Sequence, residues 1–187
     1  NSSDPRMSAV YKLLFVGPIG AGKTQAIKVL SDIEVVSTEA AASDDVGLRK
    51  AQTTVAMDYG VMNLASGDRV RLYGTPGQGR FDFMWEILAR NALGVVLLID
   101  ASAEDPLADL IYYASAFDEV IRKTALVVGI THNSSHSERV LRPAVAQELA
   151  KRDLPAIVMT VDARVRTDMT MLVKALIYSL DPLYGAA

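Results

Sequence analysis

Gly17-Pro18-Ile19-Gly20-Ala21-Gly22-Lys23-Thr24 fits the pattern G-x-x-x-x-G-K-[ST]. It follows Lys12–Val16, an apolar strand candidate, and opens a helical pattern running from Lys23 to about Asp32, with Ile27 and Leu30 as its first apolar pair. Glycines at these positions permit backbone torsions that turn successive N–H groups inward, forming an anion nest at a helix N-terminus. Lys23 adds a point charge suited to β- and γ-phosphates, and Thr24 offers a hydroxyl to Mg²⁺, an ion that takes few protein ligands. A chance glycine-rich turn is the competing reading; the flanking strand and helix argue for a phosphate loop. Gly17, Pro18, Ile19, Gly20, Ala21, Gly22, Lys23, Thr24 and Gln25 are therefore candidate nucleotide-binding residues.

Outward from this loop, turn signals divide the chain into apolar runs and helical periods. Glu34–Thr53 is rich in Ser, Ala and Asp without clear periodicity, which suggests a functional loop or a mobile segment. Thr54–Leu64 and Val70–Tyr73 read as extended, joined by the hairpin chemistry of Ala65-Ser66-Gly67-Asp68. Gly74–Gly79 is a glycine-rich loop, and Phe81–Arg90 a helix. Val95–Ile99 and Ala125–Ile130 are apolar enough to be parallel strands buried on both faces. Between them Leu107, Leu110, Ile111, Ala114 and Ile121 keep helical spacing. Arg139–Lys151 is a further helix and Ala156–Thr160 a further strand. Met169, Leu172, Val173, Leu176, Ile177 and Leu180 mark the last helix by their i, i+3, i+4 spacing. This order predicts a three-layer α/β domain of the P-loop NTPase type. Its sheet is mostly parallel and six-stranded, with one antiparallel strand at an edge, helices on both faces and ligands at the carboxyl ends of the strands.

Composition narrows the function. The chain has 187 residues, half of them apolar and 22% charged, with a net charge of −3; mean hydropathy is +0.21. A sizeable core is expected, and no basic run offers a footprint for nucleic acid. Cysteine is absent, which removes disulfides, thiolate metal sites, cysteine nucleophiles, prenylation and palmitoylation. His132 and His136 alone, in one loop, cannot make a multi-histidine metal centre. The longest apolar stretch, Ala92–Ile99, is too short to span a bilayer. Residues 1–10 read as a flexible segment or cloning scar ahead of a single domain at 11–187. With Ser8 after Met7, and no signal peptide, the expectation is a cytoplasmic protein without a lipid anchor or transmembrane segment.

Thr53-Thr54-Val55-Ala56-Met57-Asp58 opens the hairpin, and Gly74-Thr75-Pro76-Gly77-Gln78 follows its second strand. With the phosphate loop, these segments resemble the Ras-like small GTPases over nearly all of Lys12–Leu180. The similarity is strongest to a bacterial group related to the gliding-motility type, with Gly-Thr-Pro-Gly-Gln followed by a run matched here by Arg80-Phe81 and Phe83-Met84-Trp85. The resemblance implies binding of GTP/GDP with Mg²⁺. It makes Thr54 (or its neighbour Thr53) the first-switch threonine that binds Mg²⁺, so the metal residues are Thr24 and Thr54. It makes Gly77 the second-switch glycine and Gln78 the residue orienting the attacking water; Gln78, Lys23 and Thr54 form the catalytic set. Asp162-Ala163-Arg164 is similar to the segment whose alanine N–H faces the guanine oxygen. Thr131, His132 and Ser134, in Thr131-His132-Asn133-Ser134, align with the base-reading box. Roadblock-type protein partners, and a monomer or nucleotide-dependent dimer, are further implications.

Three positions depart from the family pattern. Gly74 stands where an aspartate usually holds Mg²⁺ through water, Ile19 where Ras has glycine, and Ser134 where a carboxylate accepts from guanine. Asp58 is either a surface strand residue or a substitute for the aspartate missing at 74. Phe81, Phe83, Met84 and Trp85 are either the buried side of a helix or, in part, a partner surface. His132 is a loop residue or a base contact; Arg80 forms a surface ion pair or assists phosphate charge; Arg164 and Arg166 are solvated. The leading functional reading is a switch that binds GTP and hydrolyses it slowly. A non-hydrolysing scaffold and a P-loop ATP-binding protein or kinase are the alternatives.

Overall fold

A computed structural model describes residues 8–37, 57–76 and 83–180, and for Phe83 and Met84 the backbone alone. Among the described residues the strands are β1 (Val10–Val16), β2 (Val36–Ser37), β3 (Asp58–Asn63), β4 (Arg69–Gly74), β5 (Gly94–Asp100), β6 (Leu126–Thr131) and β7 (Ile157–Thr160). The helices are α1 (Lys23–Leu30), α2 (Phe83–Ala89), α3 (Pro106–Ala116), α4 (Asp118–Lys123), α5 (Arg142–Lys151) and α6 (Arg166–Leu180).

The sheet runs β2-β3-β4-β1-β5-β6-β7. β4, β1, β5, β6 and β7 are parallel neighbours, and β3 is antiparallel to both β4 and β2. All six strands expected from the sequence are present. The two-residue β2 adds a seventh, pairing Val36 with Tyr59 and Ser37 with Asp58. Two residues carry no readable alternation, which is why sequence periodicity passes over β2. The rest of the β3 edge is closed by the chain leaving α1: Asp32 N–H donates to the Val61 carbonyl at 2.7 Å, and Asn63 N–H to Asp32 Oδ2 at 2.7 Å. Such capping removes backbone groups that would otherwise template another strand.

Alternation along the buried strands sorts side chains into two cores. Leu14, Val16, Val95, Leu97 and Ile99 pack on one face with residues of α2, α3, α4 and α5. Leu13, Phe15, Val96 and Leu98 pack on the other with residues of α1 and α6. Leu13, Leu14, Phe15 and Val16 are fully buried; at about 1.5–3 kcal/mol each, these four anchor the strand that delivers the phosphate loop. Ala9, expected within the flexible N-terminal segment, is tied down: its N–H donates to Asp68 Oδ1 at 2.8 Å and its carbonyl accepts from Arg69 N–H at 2.9 Å.

Two helices differ in detail from their sequence pattern. The spacing from Leu107 to Ile121 spans α3 and α4, which break at Phe117 (φ −104°, ψ 15°). The Arg139–Lys151 pattern begins as a π-helical turn at Ser137–Leu141 before α5. Pro143 has no N–H to donate to Arg139, and a widened turn ahead of it accommodates its ring.

Candidate functional site

The carboxyl ends of β1, β6 and β7 converge with the start of α1 around a cavity of about 870 Å³. Its lining includes Ile19, Gly20, Gly22, Lys23, Thr24, Gln25, Asp58, Thr75, Pro76, Thr131, His132, Asn133, Val161, Asp162, Ala163 and Arg164. Glycine is required at two turns of the loop. A Cβ on Gly17 (φ +141°) would lie 2.1 Å from the Leu98 carbonyl oxygen; one on Gly22 (φ +103°) would lie 2.8 Å from Ala163 Cβ. Gly22 caps α1 without a side-chain hydrogen bond, so no cap side chain competes with an anion for the first N–H groups of the helix.

Lys23 turns back along this loop. Its Nζ donates to the Gly17 carbonyl at 2.5 Å and the Pro18 carbonyl at 2.7 Å. The residue is 9% exposed. Burial pushes its pKa from the ordinary 10.5 down to about 8, while the negative charge of Asp58 pulls it partly back. Ile19 is exposed and also lines the cavity.

At the β3 side of the cavity, Thr24 Oγ1 donates to Asp58 Oδ2, and Ser37 Oγ donates to Asp58 Oδ1 at 2.7 Å. Asp58 is the cross-strand partner of Gly74. A Cβ on Gly74 would fall 3.3 Å from Asp58 Cβ and 3.4 Å from its Oδ2. The Asp58 carboxylate therefore lies at the cavity wall, directly beside the space that an aspartate at 74 would enter. Thr24, Asp58 and Ser37 form an all-oxygen donor set of the kind Mg²⁺ accepts. Sequence reasoning did not single out Ser37; nothing local marks a lone serine, and only the β2–β3 register brings it here.

Thr75 follows β4 as a buried peg, with its N–H and Oγ1 both donating to the Phe15 carbonyl, at 2.9 and 3.0 Å. Trp85 faces inward: it is 5% exposed, donates Nε1–H to the Pro76 carbonyl at 3.2 Å and packs against Phe117 at 4.9 Å between ring centroids. Ile87 on the same helix is exposed. Thr53, Thr54, Gly77, Gln78, Arg80 and Phe81, with the side chains of Phe83 and Met84, lie outside the described residues.

On the opposite side, Thr131 Oγ1 donates to the Ala21 carbonyl at 2.8 Å, tying β6 to the phosphate loop. His132, in a left-handed conformation (φ 54°), brings Nε2 within 3.1 Å of the Gly20 carbonyl. Asn133 Nδ2 donates to the carbonyls of Ile130 and Val161, at 2.6 and 3.1 Å, holding the ends of β6 and β7 together. The cavity lining does not include Ser134. Ser134 pairs with Ser137, each backbone N–H donating to the other's hydroxyl, at 2.9 and 3.3 Å. Asp162, Ala163 and Arg164 do line the cavity. The Arg164 side chain beside Asp162 holds that carboxyl down at about 2, with its N–H and His132 adding to the effect.

The model of a family described as conserved hypothetical ATP binding proteins matches residues 28–132, more than half of the chain. The chain belongs to this family. The matched stretch runs from within α1 through β6 and starts after the phosphate loop, whose assignment rests on its own motif and geometry. No curated protein matches the chain. Among solved structures, it is similar to a bacterial selenocysteine-specific elongation factor, with a TM-score of 0.65 and 17% identity over 94% of this chain. That alignment covers 30% of the elongation factor, so the chain spans less than a third of that protein's length. At this identity the likeness establishes the P-loop NTPase fold. The family and the fold together make this a nucleotide-binding P-loop protein. Among the described residues no helix is long and apolar enough to cross a membrane.

Proposed function

We propose that the chain binds a Mg²⁺–nucleoside triphosphate, with GTP as its physiological ligand, and hydrolyses it slowly as a two-state switch. The observation that carries this reading is the buried Lys23 Nζ beside an uncapped helix N-terminus, with Thr24 and Asp58 joined next to it. Phosphates would enter the nest of Gly17–Thr24, where N–H groups and the ammonium offset their charge. Mg²⁺ fits the oxygens of Thr24 and Asp58, and when bound it supplies further charge neutralisation on the phosphate oxygens. Thr54 and Gly77 are assigned to sensing the γ-phosphate and Gln78 to orienting the attacking water, so that hydrolysis releases the two loops. On this reading the chain is a small GTPase of the gliding-motility type, for which a roadblock-type protein would be the natural partner.

A second reading, with ATP as ligand, draws on the description of the family. Calorimetric titration with GTP and ATP, with and without Mg²⁺, decides between them. The expected result is Mg²⁺-dependent binding with GTP the tighter ligand. Equal binding to Lys23→Ala would remove the phosphate-loop reading, and a clear preference for ATP would remove the guanine reading.

A further inference from the structure

We propose that Asp162 is the carboxylate that reads the guanine base, in place of the one missing at Ser134. This rests on the nucleotide site proposed above and extends it to base selection. Among the described residues two carboxylates line the cavity, Asp58 and Asp162. Asp58 is taken up by Thr24 and Ser37 at the β3 side. Asp162 lies past β7, on the side where Thr131, His132 and Ala163 close around the loop. Ser134 is turned into its pair with Ser137 and leaves this end without the acceptor that guanine requires.

Guanine presents adjacent N1–H and N2–H donors on one edge, whereas adenine presents an acceptor at N1 and a bare C2–H where guanine carries its amino group. A carboxylate facing that edge attracts the first base and repels the second. Asp162 is prepared for this in two ways. The Arg164 backbone N–H donates to its Oδ1 at 2.9 Å, fixing the plane of the carboxylate. The Arg164 side chain covers both oxygens, Nε to Oδ1 at 3.0 Å and Nη2 to Oδ2 at 2.8 Å. The Arg164 side chain is 79% exposed, so its ion pair is weak and exchangeable. A base that brings two donors can displace it while the backbone bond stays. In the empty site the Arg164 side chain, aided by its backbone N–H, holds the carboxyl down at about 2, so the acceptor is ionised before a base arrives.

The test exploits a change of hydrogen-bond polarity. Xanthine carries a C2 carbonyl where guanine carries its amino group, so an amide at position 162 can donate where the carboxylate could only accept. Asp162→Asn should lower GTP affinity by about tenfold or more, the loss expected for a charge-assisted pair. It should raise the affinity for xanthosine triphosphate, and raise that for ATP slightly, since the charge that repels adenine N1 is gone. Arg164→Ala, which removes the competing guanidinium, should leave GTP binding as tight or tighter. An inverted guanine-to-xanthine preference cannot come from a loosened fold. An unchanged preference in Asp162→Asn, with GTP still binding the unmodified chain, overturns the role of Asp162 and leaves the nucleotide site standing. Failure of the unmodified chain to bind any of the three triphosphates overturns both.

Discussion

Triphosphate binding should take up a proton, because Lys23 is partly neutral in the empty loop and must be charged beside phosphate. Burial lowers its pKa from 10.5 to about 8, so the neutral fraction is about 0.1 at pH 7, 0.5 at pH 8 and 0.9 at pH 9. Anionic phosphates restore the ordinary affinity for the proton. The uptake per triphosphate bound should follow those fractions, and the apparent affinity should fall by about tenfold from pH 7 to pH 9. Titration calorimetry in two buffers of different ionisation enthalpy measures the uptake at each pH, and Lys23→Met should abolish it. The same shift affects the stability of the empty protein. Lys23 has a lower pKa folded than unfolded, so between about pH 8 and 10.5 the unfolded chain holds a proton that the native chain has lost. Stability therefore rises with pH across that window, by on the order of 3 kcal/mol if this group acts alone. A proton uptake that stays flat from pH 7 to pH 9, or that persists in Lys23→Met, would refute the reasoning.

Asp58→Asn should raise the Mg²⁺ concentration needed for triphosphate binding by about tenfold, read from fluorescent-nucleotide titrations at graded Mg²⁺. Gly74→Asp alone should lower the melting temperature by setting a second carboxylate against Asp58, whereas Asp58→Ser combined with Gly74→Asp should recover both stability and Mg²⁺ dependence. Trp85→Ala should cost about 3–5 kcal/mol in denaturant unfolding, since it empties a site among Phe117 and Tyr113 and orphans the Pro76 carbonyl. Gln78→Leu should leave GTP affinity nearly unchanged and abolish stimulated single-turnover hydrolysis, because an orienting residue acts in the transition state; hydrolysis at the unmodified rate would remove that role.

What the sequence determined by itself is what local chemistry encodes. The phosphate loop is contiguous, and its glycines and lysine perform their parts wherever a strand feeds a helix. The strands Val95–Ile99 and Ala125–Ile130 declare their double burial by being apolar at every position, and the last helix declares its inner stripe by i, i+3, i+4 spacing. Alternation of strands and helices then leaves little choice of topology. The tertiary structure decided what depends on register between segments far apart in the chain. Asp58 reads in the sequence either as a surface strand residue or as a substitute for the aspartate missing at 74, and the β3–β4 pairing is what sets it opposite Gly74; Ser37 has no signature until β2 sets it opposite Asp58. Trp85 turns inward because Phe117 and Tyr113, on and after α3, form the surface it meets. The resemblance aligns Ser134 with a base-reading position, whereas in the tertiary structure that serine pairs with Ser137 at the start of the π-helical turn, and Asp162 lines the cavity from another loop. Periodicities of 2 and 3.6 report which face of an element is buried; they carry no information about which residue of a distant strand lies opposite.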